Sequence, residues 1–398
     1  MRDDLKPAIG IFGDGQLAQM TCLAGRALGY EMHVYASDAG NPGALTADRV
    51  WLGSFDDESL VREFASAVDA VTYDTELLPI ESVRLAARYA STRPGPDVLW
   101  IAQNRIRERE FLRSVGVPMP RVAPVRTREE LSAAIAGVGT PAVLKTAEQG
   151  YDGKGQVRIM HPADAQDAWS ALDFAPCVLE EWIELRSECS VIVAGAADGG
   201  LVSYPVVDNV HVNHILHQSS FPSALPEEKQ RTAVAVAERI ARELGLVGLL
   251  AVEMFHTQDG RILVNELAPR PHNSGHHTQL SAATSQFAQL CRAVAGAPLG
   301  DVTTRPAVMI NLLGDLFVDR DETVYRRVGF LPEPDDHSAV YFYGKQEARP
   351  GRKMGHVLAV GETRDQALRR AAVLYARYAG PAGATGNQQE KAGFARGH

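Results

Sequence analysis

Residues 251–268 read AVEMFHTQDGRILVNELA, two short apolar runs on either side of the dipeptide Asp259-Gly260. Asp-Gly between such runs is the strongest short-range signal for a two-residue β-hairpin turn, whose two positions both need positive φ. That turn fixes the register. Gln258 opposes Arg261, every later pair keeps the same residue sum, and Glu253 falls directly opposite Glu266. A three-residue loop would shift this register by one. Like charges facing each other across strands are destabilising, and a divalent cation relieves the conflict. Hard cations such as Mg²⁺ take oxygen ligands and typically use one or two protein carboxylates together with substrate phosphates. Asn265 adjoins the pair.

After Glu266 the chain continues Leu-Ala-Pro-Arg-Pro-His-Asn-Ser-Gly-His-His-Thr, which has almost nothing apolar to bury. Such a loop leaving a metal-bearing strand reads as a binding loop. Arg270 suits a phosphate or carboxylate held bidentately, and Asn273 and Ser274 add donors. His272, His276 and His277 lie close enough to suggest zinc. No HExxH pattern and no paired cysteines accompany them, so zinc is not expected.

The 398-residue length predicts two or three domains. With a formal net charge of −9 there is no basic excess to favour nucleic acid. Cys22, Cys177, Cys189 and Cys291 form no CxxC and read as buried thiols of a reducing compartment. The opening MRDDLKPAIGIFG carries acids and a strand instead of a signal core, and no run approaches the ~20 apolar residues of a membrane span. A cytoplasmic protein without membrane partners is expected.

Taken in order, Ala8–Phe12 reads as a strand running into Gly13-Asp14-Gly15-Gln16-Leu17-Ala18, followed by a helix to about Gly29 and a strand over 31–36. This is the outline of a dinucleotide fingerprint, with Asp38 as the acid beyond it. Its physical content is a backbone that a ligand can approach and a helix N-terminus that favours an anion, most often phosphate. A strand ending near Thr72 places Tyr73-Asp74-Thr75-Glu76 where ligands bind in open α/β sheets, with Glu76 the candidate contact. Arg93-Pro94-Gly95-Pro96 marks a boundary. Residues 103–114 read as one charged helix, with Arg105 and Arg109 on one face as a solvated stripe.

A linker (118–124) and a helix (129–137) then lead to the strand Ala142-Val143-Leu144-Lys145. Gly150-Tyr151-Asp152-Gly153-Lys154-Gly155-Gln156 follows, three glycines and a lysine between two strands. It is not a Walker A loop, and it suits a mobile cover for a triphosphate. Residues 177–183 read as a strand with an edge for adenine, and Glu180 or Glu188 as a ribose ligand. Strands are expected over 187–194 and 201–207, a helix over 227–244, and short strands after Pro298 with a cationic loop, KQEARPGRK, among them. Residues 380–398 read as a disordered tail.

Together GDGQLAQM, GYDGKGQ, NELAPRPHNSGHHT and RPGRKMGH resemble, over roughly residues 8–375, the ATP-grasp superfamily and within it the N5-carboxyaminoimidazole ribonucleotide synthetases of purine biosynthesis. The resemblance implies mixed α/β and α+β architecture. A Rossmann-like domain over 1–102 would precede an ATP-grasp domain over 103–299, with a lid lobe at about 120–184, and a small β-rich domain over 300–379. It implies a homodimer that joins ATP, bicarbonate and 5-aminoimidazole ribonucleotide through carboxyphosphate, using Mg²⁺ or Mn²⁺ and no NAD, zinc or biotin.

On this resemblance ATP contacts fall on Arg105, Lys145, the loop Gly150, Tyr151, Asp152, Gly153, Lys154, Gly155 and Gln156, then Glu180, Glu181, Trp182, Ile183, Glu188, His211, Asn265 and Glu266. The metal falls on Glu253 and Glu266. The ribonucleotide falls on Gly13, Gly15, Gln16, Leu17, Glu76, Tyr151, Arg270, His272, Asn273, Ser274, Lys345 and Arg352, the last two meeting the 5′-phosphate. Catalysis falls on Arg270 and Lys145, with Asp152 and His272 the candidates for the amine proton. The family commonly has GGGQLGRM where this chain has GDGQLAQM, so Asp14 is expected to put an acid beside the phosphate. His277 replaces a usual aromatic, and Tyr73-Asp74-Thr75-Glu76 varies a Tyr-Glu-Phe-Glu pattern. Rival readings are an NAD-dependent oxidoreductase, a formate-dependent or other carboxylate-amine ligase, and a nucleotide-binding relic without turnover.

Overall fold

The computed structural model of the chain describes residues 6–148, 150, 154–318 and 335–384, the last five by backbone alone. Tyr151, Asp152 and Gly153 of the glycine loop and most of the expected tail lie outside the described residues. The helix Arg364–Ala384 runs five residues past the start expected for that tail.

Strands β1 (Ala8–Phe12), β2 (Glu31–Ala36), β3 (Arg49–Leu52), β4 (Ala70–Tyr73) and β5 (Ser91–Thr92) form a parallel sheet in the order β3-β2-β1-β4-β5. All five residues of β1 are buried, as expected of a parallel strand covered on both faces. The strand order turns between β1 and β4, so the loops leaving their carboxyl ends, Gly13–Gly15 and Asp74–Glu76, lie side by side.

The charged helix expected over 103–114 is Arg105–Val115, and a separate short helix, Pro96–Ala102, precedes it. Asn104 stands between them in extended conformation, and its side chain accepts from Ile106 N and Arg107 N at 2.9 and 3.2 Å, starting a new helix where the old one stops.

Strands β6 (Val122–Val125), β7 (Ala142–Thr146), β8 (Gln156–Ile159) and β9 (Cys177–Glu181) make a small antiparallel sheet in the order β6-β9-β7-β8. Leu131, Ala134 and Trp169 of its helices cover Leu144 and Leu179. Because β9 lies between two partners, its backbone offers no free edge through Glu181, contrary to the expected adenine edge.

The largest sheet contains β10 (Leu185–Gly195), β11 (Leu201–Ser203), β12 (Val207–Val212), β13 (Ile215–Phe221), β14 (Gly248–Thr257), β15 (Ile262–Ala268), β16 (Ala307–Leu313), β17 (Ser338–Phe342) and β18 (Lys353–Val360). The expected strand 201–207 is divided between β11 and β12 by the segment holding Pro205, which has no N–H to give a ladder. The sheet does not stop at the position expected to divide the last two domains. β13 pairs with β16 from Gln218↔Ile310 to Phe221↔Ala307, although β16–β18 and the helix Arg364–Ala384 enclose a core of their own.

The β14–β15 hairpin reaches the expected pairing by a different route. Its loop has three residues: Thr257 N donates to Arg261 O at 3.0 Å and Gly260 N to Thr257 O at 3.0 Å. Only Gly260, at φ +83°, is left-handed, the pattern of a type I turn closed by a glycine bulge. Register therefore slips by one, as His256↔Ile262 and Met254↔Val264 record, until a bulge at Asn265 restores Glu253↔Glu266.

Candidate active site

The glycine loop after β1, the end of β4, the β7–β8 pair and the β14–β15 hairpin surround a cavity of about 710 Å³. The Asn265 bulge matters here. In a regular strand Asn265 and Glu266 would point to opposite faces, and the inserted residue breaks that alternation. Asn265, Glu266 and Glu253 all line the cavity, giving three oxygen-bearing side chains on one wall.

Glu253 Oε1 lies 2.8 Å from His272 Nε2. Burial opposes ionisation of Glu253, but the His272 imidazole beside it holds the carboxyl well below the usual range. The backbone N–H of Ser274 donates to His272 Nδ1 at 3.3 Å. That nitrogen is therefore an acceptor, and the ring hydrogen sits on Nε2, toward Glu253. Ser274 is itself buried, with Oγ 2.9 Å from the same Nδ1 and 2.8 Å from Ser190 Oγ. Ser274 braces His272 instead of lining the cavity. As held here, His272 has no open lone pair for an amine proton, which departs from its expected role.

Glu266 Oε2 meets Arg105 at 3.4 Å. Behind it lies a charge network that the sequence did not suggest. Arg109, 2% exposed, is bound by Glu108 at 2.7 Å, by Glu180 at 2.7 Å and by the carbonyl of Asn265. The solvated stripe expected for it is thus a buried hub. Helical spacing contained the signal: Glu108 and Arg109 share a face with Leu112 and Val115, all buried.

Lys145 Nζ lies 2.6 Å from Glu180 Oε2. Burial opposes ionisation of Glu180, but Arg109 and Lys145 outweigh it and hold the carboxyl well below its ordinary value. Glu180 is thus an internal brace, not the expected ribose ligand. Burial pushes Glu108 up to about 7, against the pull of Arg109 and Arg105.

Lys145, Gly150, Lys154, Gln156, Glu188 and His211 line the cavity. Glu188 and His211 are paired at 2.7 Å. Burial opposes protonation of His211, and Glu188 outweighs it, raising the imidazole above its ordinary value. Gly155 turns between Lys154 and Gln156 at φ +70°. Glu181, Trp182 and Ile183 stand off the cavity: Glu181 pairs with Arg121 at 2.7 Å, and Trp182 stacks under Arg158 at 3.8 Å.

On the opposite side, Gly13, Gly15, Gln16, Leu17, Glu76, Arg270, His272 and Asn273 line the cavity. Arg270 Nε lies 2.8 Å from Glu76 Oε2. The anion at the helix N-terminus is a side chain, not a phosphate. Asp74 Oδ2 accepts from Gly15 N at 2.8 Å and Ala18 N at 3.4 Å. Burial raises Asp74 to about 6, those amides pull it down and Asp14 adds to the rise. Asp14, expected to put an acid beside the phosphate, does border the cavity, but its Oδ2 accepts from Ser37 N, Ser37 Oγ and Asn41 Nδ2 at 2.8, 2.9 and 3.0 Å.

From the C-terminal strands it is Lys353 that lines the cavity. Lys345 Nζ donates to Lys353 O at 2.8 Å and Arg352 Nη1 to Glu347 O at 2.8 Å, so neither expected phosphate ligand faces the cavity. The three loop histidines diverge. His276 Nδ1 meets Gln286 at 3.1 Å and His277 Nδ1 meets Ser281 at 2.9 Å, while His272 serves Glu253. Among the described residues no three histidine, cysteine, aspartate or glutamate side chains gather as a metal-binding group.

Three family models match successive parts of the chain: a ribonucleotide synthetase preATP-grasp domain over residues 7–103, an ATP-grasp domain over 110–287, and a phosphoribosylaminoimidazole carboxylase C-terminal domain over 307–370. N5-carboxyaminoimidazole ribonucleotide synthase of Bacillus subtilis (strain 168) is 39% identical over 361 residues, 90% of this chain and 92% of the relative. The crystal structure of an ADP complex of an N5-carboxyaminoimidazole ribonucleotide synthetase superposes with a TM-score of 0.85 at 40% identity, covering 93% of this chain and 97% of the other. The Aspergillus clavatus N5-carboxyaminoimidazole synthase, in complex with ADP and 5-aminoimidazole ribonucleotide, gives 0.84 at 27% identity, with 94% and 98% covered.

Proposed function

Because the chain belongs to the N5-carboxyaminoimidazole ribonucleotide synthetase family of ATP-grasp enzymes, we propose that it carboxylates 5-aminoimidazole ribonucleotide. The other substrates are ATP and bicarbonate, the other products ADP and phosphate, and the setting is de novo purine biosynthesis. The observation that carries the reading is that the cross-strand carboxylates Glu253 and Glu266, the Lys145 ammonium and the Arg270 guanidinium all face one cavity.

In this mechanism a bicarbonate oxygen attacks the γ-phosphorus as the bond to the ADP oxygen breaks. Lys145, oriented by Glu180, meets the charge that develops on the transferred group. Arg270, braced by Glu76, orients bicarbonate and then carboxyphosphate. The amine next attacks the carboxyl carbon, the bond to phosphate breaks, and a proton leaves the nitrogen. Of the two candidates for that proton, His272 is engaged on both ring nitrogens. It therefore positions Glu253, and Asp152 is left for the proton. Lys353 and Gln16 face the ribonucleotide side. The short-lived acyl phosphate requires that water be excluded until the amine attacks.

The oxygen set Glu253, Asn265 and Glu266 fits a hard divalent cation. Mg²⁺ or Mn²⁺ bound there supplies charge neutralisation at the phosphate oxygens of ATP. We further assign the enzyme to the cytoplasm as a homodimer. No helix among the described residues is long and apolar enough to cross a membrane, and light scattering of the purified chain reads the oligomer directly.

The test is ADP release in a coupled assay with ATP, Mg²⁺ and bicarbonate, with and without 5-aminoimidazole ribonucleotide. Stimulation by the ribonucleotide that requires bicarbonate is expected. Turnover that needs formate instead, or ATP binding without stimulation, overturns the assignment of the acceptor reaction.

A further inference from the structure

The hairpin joining β12 to β13 turns at Asn213-His214, with Val212 opposite Ile215. Both turn residues have positive φ, 51° and 65°. A two-residue hairpin turn demands this conformation, and glycine meets it more readily than histidine does. The imidazole held at this tip faces the cavity, and its Nδ1 lies 3.3 Å from Gln156 Nε2. Gln156 opens β8 and is the register partner of Lys145 on β7. The hairpin therefore spans from the large sheet to the small one, arriving beside the lysine assigned to the phosphoryl group. Its base is anchored in the large sheet, where His211 is held by Glu188.

We propose that His214 is a cross-cleft positioning residue that ties the Gln156 end of β8, and with it Lys145, to the large sheet for phosphoryl transfer. The assignment rests on the ATP-binding reading above and adds a residue that the sequence patterns did not single out. The contact pairs the Gln156 side-chain amide with the Nδ1 of the ring. The tie is a single hydrogen bond.

The turn makes a clean test available. Glycine accepts φ near +65° without penalty, so His214→Gly removes the imidazole and leaves the hairpin intact. The urea midpoint of this variant is expected to equal or exceed that of the wild type. Loss of one hydrogen bond corresponds to a rise of about two- to ten-fold in the KM for ATP, whereas the ribonucleotide KM stays within about two-fold. Gln156→Ala, which also removes a side chain assigned to ATP contact, raises the ATP KM at least as much, and the double variant is no worse than Gln156→Ala alone, because the tie is already lost in that variant.

An unchanged ATP KM, an equal rise in both KM values, or additive effects of the two substitutions would each overturn the proposal. The ATP Kd from calorimetric titration reads the same contact without the acceptor. If the wild type fails to turn over the ribonucleotide, the acceptor reaction falls while a weakened Kd in His214→Gly still upholds the tie. An unchanged Kd overturns the tie.

Discussion

Glu180→Gln isolates what the buried charge network contributes. The Glu180 carboxylate, 2% exposed, is shared between Arg109 at 2.7 Å and Lys145 at 2.6 Å. The amide keeps the shape and part of the hydrogen bonding, and removes the charge that compensates a guanidinium which is itself 2% exposed. Breaking a buried ion pair from one side costs about 3–5 kcal/mol, because the remaining charge is left without compensation. That loss is expected at pH 7.5 in urea unfolding followed by far-UV circular dichroism.

The pH dependence has a definite sign. Glu180 is held below its ordinary value of 4.5. Its share of stability is therefore present above pH 4.5 and fades as pH falls further, and the variant never has that share. The gap between the two proteins should hold from pH 7.5 to about 4.5 and then narrow by about 1.4 kcal/mol per pH unit. With Lys145 no longer braced, the ATP KM should also rise. A loss below about 1 kcal/mol at pH 7.5, or a gap that stays constant into acid, would refute the reasoning, since either would mean that the carboxylate is not carrying the neighbouring cations.

Glu266→Gln removes one of the two cross-strand carboxylates and should lower metal-dependent ADP formation by about a hundred-fold or more, on the scale of losing one electrostatic stabiliser of the transition state, with an unchanged circular dichroism spectrum. Gly13→Ala should cost about 1–3 kcal/mol and weaken ribonucleotide binding: its φ is +103°, and an added Cβ would sit 1.8 Å from Asp74 Oδ1. Burial lowers His277 to about 4 and His356 to about 3, so both stay neutral in the fold while the unfolded chain takes up protons near pH 6.5. Stability should thus fall by about 1.4 kcal/mol per histidine between pH 7.5 and 5.5, and His277→Gln should remove its share of that slope in urea titrations.

The parallel strands β1 and β2 were legible to the residue: β1, covered on both faces, is an uninterrupted apolar run, and β2 follows the helix that the glycine loop starts. The facing of Glu253 and Glu266 was also legible, although a two-residue turn is not what produces it. A three-residue loop and a bulge at Asn265 each shift the register by one, and the shifts cancel. Nothing in the local sequence announces a bulge, since what it satisfies is Arg109, 156 residues away along the chain.

Charge misled in the same way at three places. Arg109, Glu180 and Asp14 read as solvent-facing or ligand-facing because ionised groups are costly to bury. Each found an internal counterpart from a distant segment: Glu108 and Glu180 for Arg109, Lys145 and Arg109 for Glu180, and the Ser37–Asn41 turn for Asp14. The converse holds for Asp74, which fills the helix N-terminus that the glycine pattern had reserved for a phosphate. Local pattern identifies which groups can form such partnerships, and only the fold decides which of them are spent internally.

The pairing of β13 with β16 carries the large sheet past residue 300 into the last part of the chain. Without β16, the β13 backbone would present a row of unsatisfied amides and carbonyls, a template for any other extended segment. A chain ending near residue 300 would therefore be a sticky fragment, prone to self-association, instead of a smaller enzyme. During synthesis the ribosome must deliver the final strands before that edge is safe. The C-terminal region thus acts as a closing seam for the catalytic sheet, independently of any substrate atom it touches.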